Sequence, residues 1–303
     1  MAWDGKRILI TGARGFIGKY LVAELLRQGA HITGLTVEGG SGSGQVSWVK
    51  GDITNPATIK GICEDIDVIF HLAAISNVDA SIRDPIRTIS TNTFGTAHLL
   101  EESRNSGAKK FVYISSAHVY GVPRYLPVDE AHPLSPREPY AASKIASENI
   151  VQAYANAYGL GFAILRPFNV FGAGQDVSFL IPGVIQQALK NGVIRVGNME
   201  PTRDFLYIED CVNGFLCAAD RGTGIYNIGS GEYRSIASVV EQIRDLVDPG
   251  MQIESDESRM RVGAVEIPRM CADASRLKAL GWAPAVGFDQ GLARTVATER
   301  AAR

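Results

Sequence analysis

Tyr140 and Lys144 stand four residues apart in Tyr140-Ala141-Ala142-Ser143-Lys144, at the start of a helical pattern over 141–158. Both side chains therefore leave one helix face, and an ammonium meets a phenol. A phenol with its ordinary pKa of ~10 carries protons poorly at neutral pH, but a neighbouring cation favours phenolate and lowers that pKa. The pair predicts a centre in which Tyr140 exchanges a proton with a hydroxyl or carbonyl oxygen. Ser115-Ser116 closes an apolar run over 110–115, and a hydroxyl at a strand end can donate to such an oxygen. Ser116 is the better candidate of the two. Taken alone, a Tyr/Lys pair at this spacing is more often a surface or packing feature than a catalyst, so the elements around it decide.

Thr11-Gly12-Ala13-Arg14-Gly15-Phe16-Ile17-Gly18 joins a β-branched run over 6–11 to a helical pattern over 15–28. Glycines at 12, 15 and 18 let backbone N–H groups close on a diphosphate that also faces the positive helix end, so Gly12, Gly15, Phe16, Ile17 and Gly18 form a candidate dinucleotide turn. The spacing is Gly-x-x-Gly-x-x-Gly rather than the usual Gly-x-Gly-x-x-Gly, and its position between first strand and first helix gives it weight. An acid often ends the second strand to bind the adenosine ribose. Here that position is Thr36, with Glu38 two residues on. The missing carboxylate permits a 2′-phosphate, and Arg14 within the turn could reach it, so NADP is the expected cofactor and NAD a possible one. Asp52, in Gly51-Asp52-Ile53, either meets the adenine edge or caps a helix. With a nicotinamide ribose nearby, Lys144 gains a second role as its hydrogen-bond donor.

The elements that must hold these groups alternate. Strand-like runs over 31–35, 46–50, 67–72, 110–115 and 161–166 are separated by helical patterns near 55–64, 85–106 and 141–158. Such alternation predicts an α/β fold, a doubly wound parallel (Rossmann) sheet with ligands at the carboxyl ends of its strands. After Gly172 the pattern loosens into helices at 181–191 and 236–247 among short strands. Residues 1–170, completed by segments near 203–232, therefore read as the dinucleotide domain, and 171–303 as a smaller mixed α/β substrate domain.

With 46% hydrophobic and 20% charged residues the 303-residue chain is globular, not disordered or fibrous. A net charge of −2 creates no positive field for nucleic acid or an acidic membrane. Cys63, Cys211, Cys217 and Cys271 lack metal-site spacing and read as thiols in a reducing compartment. No apolar run approaches the roughly 20 residues that span a bilayer. The expectation is a soluble cytoplasmic protein without a metal.

The ordered motifs resemble the extended short-chain dehydrogenase/reductases, the NAD-dependent epimerase/dehydratase family. They are Gly12, Gly15 and Gly18; His71-Leu72-Ala73-Ala74; Asn92-Thr93-Phe94-Gly95-Thr96; Ser116-Ala117-His118-Val119-Tyr120-Gly121; Tyr140 and Lys144; Arg166-Pro167-Phe168-Asn169; Arg203-Asp204-Phe205; and Gly281-Trp282. The resemblance implies that Ser116, Tyr140 and Lys144 are catalytic. It also implies cofactor contacts from Leu72, Ala73, Ala74, Asn92 and Phe168, beside Arg14, Thr36, Asp52 and Ile53.

Members that dehydrate sugars carry Glu two residues past the Ser, as the base for a carbon-bound proton. This chain has His118 there, which argues against dehydration; His118 then reads as a base or, more simply, as a packing residue in the substrate site. The C-terminal half is most similar to the GDP-4-keto-6-deoxy-D-mannose reductases. That likeness implies NAD(P)H-dependent reduction of a nucleotide-linked sugar at C4, with Asn169 and Arg261 on the diphosphate, Arg203 near ribose and diphosphate, and Glu266 on the ribose hydroxyls. The alternatives are a nucleotide-sugar 4-epimerase using the same Ser, Tyr and Lys, and a non-catalytic redox sensor, which the Tyr/Lys pair argues against. The family also implies a homodimer through a four-helix bundle of the helices near 85–106 and 141–158.

Overall fold

The first strand, β1 (Arg7–Thr11), is buried on both sides, and its alternation divides the core: Ile8 and Ile10 face one layer, Leu9 the other. Helix α1 (Phe16–Arg27) lays Leu21 and Leu25 on the Ile8/Ile10 side. After β2 (His31–Thr36), β3 (Val46–Lys50) and β4 (Val68–His71) come the short helices α2 (Val78–Arg83) and α3 (Pro85–Ile89), then α4 (Gly95–Ser106). Next are β5 (Lys110–Ile114), α5 (Pro139–Tyr158) and β6 (Gly161–Pro167). Leu99 and Leu100 of α4 and Val151 of α5 cover the Leu9 side with Phe111 and Tyr113. Each fully buried large side chain contributes about 1.5–3 kcal/mol relative to exposure. The computed structural model describes residues 2–39, 44–260 and 266–302.

Beyond β6 the chain forms β7 (Asn169–Phe171), α6 (Leu180–Asn191), β8 (Val193–Val196), β9 (Thr202–Arg203), β10 (Phe205–Tyr207) and α7 (Ile208–Arg221), then returns as β11 (Gly224–Ile228) to the edge of the large sheet. That sheet has seven parallel strands in the order β11-β6-β5-β4-β1-β2-β3, with its reversal of order between β1 and β4. The doubly wound fold expected from the sequence is the observed one. Two-stranded pairs β7/β10, β8 with 252–255, and β9 with 234–235 build the rest, covered by α8 (Ile236–Val247). Buried Asp204 accepts from Ser230 N at 2.8 Å, Gly231 N at 2.9 Å and Ala272 N at 3.0 Å, tying three segments behind Arg203.

Two elements differ from expectation. The helix expected over 55–64 is one 3-10 turn, Pro56–Thr58, capped by Asn55, because Gly61 takes φ +74° and Ile59 and Cys63 are buried by turns instead. The helix expected over 85–106 widens into a π-turn at Ser90–Phe94 between α3 and α4, a device that often marks functional sites.

Candidate active site

A cavity of about 830 Å³ runs along the carboxyl ends of β1, β4, β5 and β6 and into the C-terminal segments. Its wall brings together Gly12, Gly15, Phe16, Ile17 and Gly18 with Leu72, Ala73, Ala74, Ser116, His118, Tyr140, Lys144, Phe168, Asn169, Arg203 and Glu266. The turn suits a diphosphate. Gly12 adopts φ +70°, Gly15 is an N-cap without a side chain, and the first turn of α1 holds no acid, so its N–H groups are suited to an anion. A Cβ on Gly18 would lie 2.3 Å from Gly12 O and 2.9 Å from Ala13 backbone. Gly18→Ala is therefore expected to push the turn apart and weaken dinucleotide binding at least ~10-fold, read by fluorescence titration.

His71, at the end of β4, is pinned behind the turn. Thr96 Oγ1 donates to Asn92 O at 2.5 Å, so it accepts from His71 Nε2–H at 2.9 Å, and Thr11 Oγ1 donates to Nδ1 at 2.7 Å. Burial first, then Lys144, pushes the imidazole pKa down to about 3, so the ring stays neutral. Thr11 Oγ1 also accepts from Ala73 N at 3.1 Å, which fixes the Leu72-Ala73-Ala74 edge.

Ser116 caps the 3-10 turn Ala117–Tyr120 just past β5, and Tyr140 and Lys144 lie buried in the first turns of α5. Lys144 Nζ donates to Ile114 O at 2.7 Å and lies 5.9 Å from the Tyr140 ring. The expectation that Lys144 lowers the Tyr140 pKa fails. Burial pushes the phenol up to about 12, against an opposing hydrogen bond with Ser116 and with Glu138 adding to the rise. Burial likewise draws Lys144 down to about 7, with Glu148 opposing. At neutral pH Tyr140 is thus a protonated phenol, the form that donates.

Several expected contacts sit elsewhere. Arg14 lines a separate hollow with Lys19, Glu38 and Trp48; its guanidinium stacks on Trp48 at 4.6 Å and lies 4.0 Å from Glu38. Thr36 Oγ1 accepts from Glu38 N at 3.3 Å. Asp52 caps no helix: its Oδ1 accepts from Thr54 N and Oγ1, both at 2.8 Å, bracing the loop. Ile53 packs against Gly95. Asn92, in the π-turn, clamps the 72–77 loop to α5 by donating to Ile75 O at 3.0 Å and Ser143 Oγ at 2.9 Å while accepting from Ile75 N at 2.8 Å. Thr36, Asp52, Ile53 and Asn92 do not line the cavity. Arg203 and Glu266 pair with each other at 3.0 Å on its far wall. Arg261 lies outside the described residues.

Sequence reasoning missed Glu138, which caps α5 through Ala141 N at 2.9 Å and holds His118 Nδ1 at 3.0 Å. An acid directly before Pro139-Tyr140 at a helix start was the available signal. It also missed Asn77, whose Nδ2 donates to Ser178 Oγ at 3.2 Å at the cavity mouth.

A glycine turn at the head of a doubly wound sheet, facing a Ser/Tyr/Lys group across one cavity, defines an NAD(P)-dependent oxidoreductase of the extended short-chain dehydrogenase type. Residues 8–229 match the NAD dependent epimerase/dehydratase family, and the chain belongs to it. It is 34% identical to the putative UDP-glucose 4-epimerase of Methanocaldococcus jannaschii, over 95% of this chain and 97% of that one. It is 31% identical to the GDP-6-deoxy-D-mannose reductase of Pseudomonas aeruginosa, over 95% of each chain. Among solved structures, the Thermus thermophilus UDP-glucose 4-epimerase complex with NAD superposes with a TM-score of 0.90 at 28% identity, covering 98% of this chain and 100% of that one. RMD from Pseudomonas aeruginosa complexed with NADPH gives 0.88 at 30%, with coverage of 98% and 100%.

Proposed function

We propose that this protein reduces the C4 carbonyl of a nucleotide-linked 4-keto-6-deoxy sugar, taking GDP-4-keto-6-deoxy-D-mannose to GDP-D-rhamnose. The observation that carries the reading is the buried, protonated Tyr140 phenol beside Ser116, the state required of a donor to a new alkoxide. When bound across the sheet edge, NADPH supplies the hydride for C4. Ser116 donates to the carbonyl oxygen and Tyr140 protonates it as charge develops. Lys144 hydrogen-bonds the nicotinamide ribose. Arg203, at the far wall, and Asn169 take the diphosphate, a role Arg261 shares by resemblance, and Glu266 takes the ribose hydroxyls. Residues 1–170 with 203–232 serve as the cofactor domain and 171–303 as the substrate domain. Loss of cofactor absorbance on adding the keto sugar supports this reading; an unchanged trace with cofactor bound sinks it.

NADP is the cofactor we assign, because no carboxylate stands at Thr36 and the hollow that holds Arg14 has two cations, Arg14 and Lys19, against one acid, Glu38. Arg14→Ala is expected to raise KM for NADPH about 10-fold or more, the size of a lost charged hydrogen bond, and to leave KM for NADH within about twofold. Equal effects on both cofactors would remove the assignment.

The 34% identity to a putative UDP-glucose 4-epimerase favours a second reading, 4-epimerisation by transient oxidation with the same three residues. The ultraviolet spectrum of the purified protein separates the two: stoichiometric retained dinucleotide marks the epimerase. We further infer a cytoplasmic homodimer. Ile82, Ile86, Ile89 and Phe94 are exposed along α2, α3 and the π-turn, a surface suited to a second copy, and light scattering measures its mass.

A further inference from the structure

We propose that Trp48 is a positioning residue for cofactor choice: its indole face holds the Arg14 guanidinium ready for the 2′-phosphate of the adenosine ribose. The inference rests on the NADP reading above and adds to it a residue that touches the phosphate only through Arg14. Trp48 lies on β3, where it pairs in register with Gly34 of β2. A Cβ on Gly34 would fall 2.7 Å and 2.8 Å from two carbons of the indole and 3.4 Å from Ala13 Cβ. The ring therefore rests on bare strand backbone, and this lets a β3 side chain reach across β2 to the glycine turn. There the Arg14 guanidinium carbon sits 4.6 Å from the ring centroid, within the range of a cation–π contact.

What surrounds the pair shows why the contact matters. Ala13, Arg14, Lys19, Val22, Glu38 and Trp48 line one hollow beside the turn. Among the described residues the Arg14 side chain makes no hydrogen bond, and Glu38, exposed, stands at 4.0 Å, too far to accept one. Held by a ring face instead of an acceptor, the guanidinium keeps its N–H donors for an incoming anion. An arginine on a turn otherwise loses about 2 kcal/mol of rotamer freedom when it is fixed on a phosphate. Stacking on Trp48 takes up part of that loss before the cofactor arrives. The aid goes only to a ligand that uses Arg14, so Trp48 acts on the choice between two cofactors and not on dinucleotide binding in general.

The test measures binding of adenosine 2′,5′-bisphosphate and adenosine 5′-phosphate to the full chain by isothermal titration calorimetry, with no turnover required. Wild type is expected to favour the bisphosphate by at least ~10-fold, the scale of a charged hydrogen bond. Trp48→Leu should lower that ratio about 3- to 10-fold, as befits a cation–π contact, and leave affinity for the monophosphate within about twofold. Trp48→Phe, which keeps a ring face and guards against failure of the Leu variant to fold, should restore most of the ratio. In an Arg14→Ala background, Trp48→Leu should change the ratio less than about twofold, because the two residues act as one unit. Fluorescence gives a second readout: Trp3 and Trp282 are buried at 5% and 4% exposure, which leaves Trp48 as the indole beside the ligand. Saturating bisphosphate should change the emission of wild type but not of Trp48→Phe. A ratio undiminished in Trp48→Leu, equal loss of both ligands, or emission of wild type unmoved by bound bisphosphate overturns the proposal while the NADP reading stands. A wild type that does not favour the bisphosphate, or a ratio unchanged by Arg14→Ala, overturns the NADP reading and the proposal with it.

Discussion

Tyr140→Phe is expected to lower turnover by about 10²–10⁴-fold, the range for loss of a positioned general acid, while dinucleotide affinity stays within about twofold. The phenol oxygen is not part of the glycine turn and makes no contact there; its hydrogen-bond partner is Ser116. The aromatic ring, buried at 7% exposure and edge-on to His118, is retained in Phe, so the pocket keeps its shape. Single-turnover loss of cofactor absorbance together with a binding titration separates the two quantities. Turnover above a tenth of wild type would take the proton-donor role from Tyr140. The pH profile carries the same logic. Tyr140, held near 12, stays protonated across the working range, whereas Lys144, drawn to about 7, loses its charge as pH rises above that value. The kcat/KM for cofactor reports the free enzyme, and in the reductive direction it is expected to fall as pH rises through about 7.

The second large effect lies beneath the site. Glu148 on α5 accepts from Arg166 Nε at 2.9 Å, Arg166 NH2 at 2.5 Å and Ser115 Oγ at 2.5 Å, and both members of the ion pair are buried. Arg166 NH1 reaches Tyr120 Oη at 2.9 Å, and Tyr120 in turn donates to Asn227 Oδ1 at 2.6 Å. The network joins β5, β6, α5, β11 and the 3-10 turn that carries His118. Glu148→Ala leaves a guanidinium buried without its counter-charge, and the expected loss is about 3–5 kcal/mol by chemical denaturation. A charge-free pair, Glu148→Leu with Arg166→Met, should recover most of that loss, because the cost comes from the uncompensated ion. If the double variant were no more stable than Glu148→Ala, packing rather than charge would be the cause. Glu148 also opposes the fall in the Lys144 pKa, so Glu148→Ala is expected to move the alkaline limb to lower pH.

The sequence by itself determined the sheet, the glycine turn and the placing of Tyr140 beside Lys144. These depend on neighbours in the chain: alternate residues of β1 must face opposite layers, glycines 12, 15 and 18 fit one turn, and positions 140 and 144 share one helix face. It also placed Ser116 at the sheet edge, since a strand end is visible as the end of an apolar run. Tertiary structure alone decided what depends on approach through space. The Tyr140 pKa rises because burial, with Glu138 adding to it, outweighs the hydrogen bond with Ser116, a balance that spacing does not contain. Arg14 stacks on Trp48, 34 positions away in the chain, and Asn92 turns from the cavity to clamp Ile75 and Ser143 because a π-turn rotates it there. Lys144 beside Tyr140 was legible because four residues make one helical turn; Glu138 beside His118 was not, because twenty residues of loop and turn bring them together.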